Sequence, residues 1–109
     1  MKELLSMAFI KEPTGYYKTA LSDLQGAWIN LRDAVVENFG FPNSDKLLFH
    51  IDEAMSWECV RNLKLMKETL LLVQNIAAQY APKEVNEWVQ TVRENLEEVL
   101  SAIKEGERL

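Results

Sequence analysis

A chain of 109 residues, 48% hydrophobic and 27% charged, has the composition of one folded domain spanning 1–109, which excludes intrinsic disorder. No apolar run approaches the ~20 residues of a membrane-spanning helix, and the net charge of −5 disfavours nucleic acid, whose phosphates are held by clustered Lys and Arg. A single cysteine, Cys59, excludes an intrachain disulfide framework and points to the cytoplasm.

The N-terminal stretch MKELLSMAFI is apolar after Lys2 and Glu3. Lys11, Glu12 and Pro13 follow where a signal peptide would need a small-residue cleavage site, so the expectation is a short arm or helix docked on the body.

Thr14 is a candidate N-cap for a first long helix over 15–39. Tyr17, Leu21, Leu24, Trp28, Leu31 and Val35 recur along it at alternating spacings of four and three, the stripe of a helix packed in a bundle. Gly40 is placed as a left-handed residue closing that helix, Pro42 as a stop, and Asn43 or Ser44 as the next N-cap.

From 44 to 81 there is neither Gly nor Pro, and the spacing predicts one long helix. Its stripe reads Leu48, Ile51, Met55, then Cys59, Leu63, Met66, Leu70, Val73, Ala77 and Tyr80. Unbroken, it would be ~57 Å long, against a radius of gyration near ~13 Å for a compact chain of this size. Either it bends between Met55 and Cys59, where the stripe slips, or a second copy of the chain covers the overhang as a homodimer. Leu65, Leu72 and Ile76 lie off the stripe, which predicts a central helix flanked by the other two.

Pro82 opens a third helix over 83–105, with Glu84 favourable in its first turn. Val85, Val89, Val92, Leu96, Val99 and Ile103 form its stripe. The expected fold is therefore an all-α, antiparallel up-down bundle of three long helices plus the arm, with no strands. Folding the third helix back on the second brings Lys64 and Lys67 near Glu94, Glu97 and Glu98 as surface ion pairs.

No catalytic constellation emerges. Di-iron bundles hold metal with Glu-x-x-His pairs from two helices. Here the one histidine, His50, precedes Glu53 at i+3, with Asp52 and Glu58 nearby, and no inward carboxylate on the other stripes completes a shell. Nucleotide pyrophosphohydrolases hold Mg²⁺ with two pairs of carboxylates about a helix apart, but Glu94, Glu97 and Glu98 have no downstream counterpart. Cys59 on an apolar stripe would have its thiol pKa raised by burial, and no glycine-rich phosphate loop is present.

The expectation is a non-enzymatic interaction module, an adaptor, inhibitor or regulatory subunit that acts through helix faces as a homodimer without a cofactor. The candidate partner or dimer interface is Trp57, Val60, Leu65 and Leu72. Trp57 and Val60 either pack under the arm, against Leu4, Leu5, Phe9 or Ile10, or form an exposed contact. The alternative is a bundle holding a metal or small molecule near His50, Glu53 and Glu58.

Overall fold

A computed structural model describes residues 15–59 and 62–108, with side-chain surroundings for 19–57 and 62–103. The expected N-terminal arm, Val60 and the side chains of Glu58 and Cys59 lie outside the described residues. The described residues form four helices and no strands: α1 Gly15–Glu37, α2 Ser44–Cys59, α3 Leu63–Tyr80 and α4 Lys83–Arg108.

The stripes read from the sequence for the first and last helices are buried from Leu21 to Val35 and from Val85 to Val99, while Ile103 is half-buried against the core and the Tyr17 side chain lies outside the described residues. Leu24, Leu31 and Val35 of α1 and Val85, Val92 and Val99 of α4 are fully buried, and Trp28 is nearly so. Asn38 closes α1 by donating its amide to the carbonyl of Ala34 at 2.8 Å. Gly40 then takes a positive φ of 120°, and Asn43 another of 66°, which glycine adopts freely and asparagine more readily than most residues. Ser44 Oγ accepts from the Gly40 amide at 3.2 Å, so this hydroxyl ties the turn back on itself, while the Asn43 carbonyl accepts from Leu47 N at 2.9 Å and starts α2.

The long second helix is corrected: 44–81 holds two helices, the first ending at Cys59 and the second beginning at Leu63. Asn62 N donates to the Trp57 carbonyl at 2.9 Å, closing α2, and the Asn62 side chain accepts from Leu65 N at 3.2 Å, opening α3. The buried residues explain the break. In α2 they are Leu47, Ile51 and Ala54, not Leu48 and Met55, which are only half-buried; in α3 they are Leu63, Met66, Leu70, Val73 and Ala77. At ~100° per residue those two stripes would sit roughly a third of a turn apart on one continuous helix, so no straight helix buries both against the same neighbours.

Each helix runs antiparallel to the next. Arg32 in α1 bonds Asp52 in α2, and Asn38 after α1 reaches Glu84 at the start of α4. On α3 and α4, Lys67 shares a groove with Leu100 and Gln74 with Arg93, which sets an antiparallel register. α1 packs most closely on α4 and α2 on α3, and among the described residues no Cα of α1 comes within 8 Å of a Cα of α3, nor one of α2 within 8 Å of one of α4. The result is an up-down four-helix bundle measuring 50 × 24 × 19 Å. Breaking the middle helix removes the overhang that a second copy was invoked to cover, and α3 is one of four peripheral helices, not a central one.

Candidate interaction surface

Two helix faces carry large apolar side chains that the core does not use. The first lies along α1 and α2. Arg32 Nε bonds Asp52 Oδ1 at 2.8 Å, with both side chains about half exposed to solvent. Ile29 and Val36 sit one turn below and one turn above Arg32 on the same helix face, and Phe49 sits one turn from Asp52 on α2. Ile29 is 50%, Val36 49% and Phe49 65% exposed, so the ion pair stands in the middle of an apolar strip. Hydrogen bonding to Asp52, and then its charge, raises the Arg32 pKa above its already high ordinary value. Such a group's contribution is fully present below its unfolded pKa and is lost as pH rises through its folded pKa, so Arg32 keeps its charge throughout the neutral range.

The second face is the outer side of α3. Leu71 and Leu72 are both about half exposed, while the opposite side of the helix is filled by Met66, Leu70 and Val73. Leu71 borders a groove of about 130 Å³ between α3 and α4, floored by Leu70, Leu96 and Leu100 and rimmed by Lys67, Gln74, Arg93 and Glu97. Arg93 Nε lies 4.0 Å from Glu97 on its own helix. Lys67 has no ion pair among the described residues, and neither does Lys64, so the expected α3/α4 register holds without the expected bridges.

Of the residues singled out from the sequence, Leu72 is exposed on α3, and Leu65 lies half-buried seven residues earlier on the same face. Trp57 is half-buried and packs against the core, linked through Asn62 to the start of α3. The turn thus brings Trp57 and Leu65 to the same end of the α2/α3 pair, while Val60 falls outside the described residues. Ile29, Val36, Phe49 and Leu71 were missed. Each stands next to a stripe residue in sequence (Trp28, Val35, Leu48, Leu70), and the available signal was the excess width of those stripes.

The alternative site is less assembled. His50 Nδ1 lies 3.0 Å from Glu53 Oε1, and the ring meets Phe49 edge-on at 5.4 Å between centroids. Asp52 is committed to Arg32 on another side of α2. Among the described residues no three His, Cys, Asp or Glu side chains converge as a metal site. No described helix is long and apolar enough to cross a membrane. No protein-family model, no curated protein and no solved structure matches the chain.

Proposed function

We propose that this chain is an interaction module that acts by contact with other proteins, itself included, and not by chemistry of its own. The observation that carries the reading is the α3/α4 groove, whose apolar floor of Leu70, Leu96 and Leu100 is bordered by Leu71 and rimmed by Lys67, which has no ion pair among the described residues. An apolar floor between two helices accepts the apolar stripe of a third, and an ammonium at the rim favours a carboxylate beside that stripe. The fitting occupant is an amphipathic helix of a partner protein with Asp or Glu flanking its apolar residues. Leu72 and Leu65 lie about 100° or more around α3 from Leu71, so they form a separate apolar patch beside this groove. The rigid bundle presents this face as an adaptor or inhibitor would, by position.

The test is cross-linking capture from the native cell extract, comparing the wild-type chain with Leu71→Glu and Lys67→Glu variants whose circular dichroism and melting are unchanged. Loss of one partner from both variants, with a partner segment that maps to an acidic amphipathic helix, is the expected result. Identical cross-link profiles for the wild type and both variants would sink the reading.

A further inference from the structure

The apolar strip on α1 and α2 lies on other helices than the partner groove, and its charge pattern says what covers it. A closed pair of identical chains uses one patch twice, with residue i meeting j and j meeting i. Two such two-fold arrangements fit a face made of two antiparallel helices. With the axis across the helices, α1 lies over α1 of the second copy, and Arg32 meets Arg32. With the axis along the helices, α1 lies over α2 of the second copy, and Arg32 meets Asp52. Like charges brought together in a contact are strongly disfavoured, so the second arrangement is selected.

That arrangement also matches the apolar residues. Arg32 and Asp52 share a level on the bundle axis, and α1 and α2 run in opposite directions. Four residues up α1 therefore corresponds to about four residues back along α2. Val36 comes level with Leu48 and Phe49, and Ile29 with Met55 and Ser56. We infer that the α1/α2 face is a homodimer interface, in which Val36 packs on Phe49 of the partner subunit and Arg32 extends its bond to the partner subunit's Asp52, and conversely. Within one chain the pair uses Arg32 Nε and Asp52 Oδ1, leaving further guanidinium donors and a second carboxylate oxygen for the partner.

The area sets the strength. α2 is 16 residues long, or ~24 Å, and two helices side by side are ~20 Å wide, so the footprint is roughly 500 Å². Specific interfaces bury about 800 Å² per partner, which places this contact in the small, transient size class. The inference shares with the proposed function only the premise that exposed apolar side chains are contact points, and it uses different residues.

Sedimentation velocity on the full chain across a concentration series tests it, with circular dichroism as the folding control. The expected results are a reversible dimer and a dissociation constant raised ~10-fold or more by Phe49→Asp. Arg32→Glu and Asp52→Lys, each alone, should weaken self-association, because each makes the face one sign. Mixing the two single variants should restore a dimer, since acidic face then meets basic face. Restoration on mixing is not expected of residues that only hold one bundle together. A chain monomeric at millimolar concentration overturns the inference, and so does a dimer indifferent to Phe49→Asp. A dimer lost instead in Leu71→Glu would overturn this interface while leaving the α3/α4 groove as a contact surface.

Discussion

Asn86 Nδ2 stands 2.9 Å from the carbonyl oxygen of Ala77, nine residues back, and ties the first turn of α4 to the last turn of α3. The same amide lies 3.2 Å from the Ala81 carbonyl and 3.3 Å from that of Pro82. The Ala77 carbonyl also accepts from Ala81 N at 3.0 Å and that of Pro82 from Val85 N and Asn86 N, so the side-chain amide adds a shared donor where α3 passes into α4, a point at which helix ends leave carbonyls short of partners. Asn86→Ala is expected to destabilise by about 1–2 kcal/mol. Asn86→Asp should be worse than Ala, because a carboxylate would face the same carbonyls with no hydrogen to give. Urea unfolding of the two variants checks the order, and an aspartate milder than alanine would show that the amide is not the clamp.

The α2/α3 turn depends on a second asparagine. Asn62 closes α2 with its backbone amide and opens α3 with its side chain, accepting from Leu65 N. Replacing an N-cap asparagine by alanine typically costs about 1 kcal/mol. Asn62→Ala should lose that amount, and Asn62→Ser or Asn62→Asp, which keep an acceptor oxygen, should lose much less. Thermal melts resolve this, since 1 kcal/mol corresponds to ~4–8 °C in a domain of this size.

That turn is also where the sequence misleads. Helix existence and the outer stripes were legible because Leu24, Trp28, Leu31 and Val35, like Val85, Val92, Leu96 and Val99, keep an unbroken rhythm and each is buried. Gly40 and Pro82 punctuate them, though α4 begins at Lys83, one residue after the proline. Between 44 and 81 no Gly or Pro marks the reversal, and two apolar neighbours compete for each inward position. Leu47 and Leu48 are equal in size and Met55 is larger than Ala54, yet Leu47 and Ala54 are the fully buried ones. Choosing Leu48 and Met55, which keep the rhythm that continues into Cys59 and Leu63, joined two stripes that belong to separate helices. The surface residues suffered from the same ambiguity, since Ile29, Val36 and Phe49 read as thickness of a stripe until the partner helices are placed.

Trp28 is 1% exposed, and its indole Nε1–H has no hydrogen-bond partner among the described residues. A buried donor left unsatisfied costs about 1–3 kcal/mol, which the burial of the ring system must outweigh. Trp28→Phe removes that donor while giving up part of the ring's packing, two effects of opposite sign. The expected net change is within about 1 kcal/mol of wild type, whereas Trp28→Ala, which empties the site, should lose about 3–5 kcal/mol. Chemical denaturation of both variants measures this. A phenylalanine variant nearly as unstable as the alanine one would mean that the indole N–H has a partner after all.

Gly26 sits inside α1, where glycine is about 1 kcal/mol less favourable than alanine. It lies in a shallow groove between α1 and α4, with Ser22, Asn30, Trp88 and Thr91 around it. A Cβ built there meets no atom within 4 Å, so nothing in the described fold requires its absence. Gly26→Ala should therefore stabilise the bundle by about 0.5–1 kcal/mol, through a less flexible unfolded chain and with no clash in the folded one. The measurement is the shift in melting temperature at fixed protein concentration, since self-association would otherwise contribute. A fall in melting temperature would show that the Gly26 backbone is closely approached by another part of the protein or a second copy, and would move attention to the α1/α4 groove.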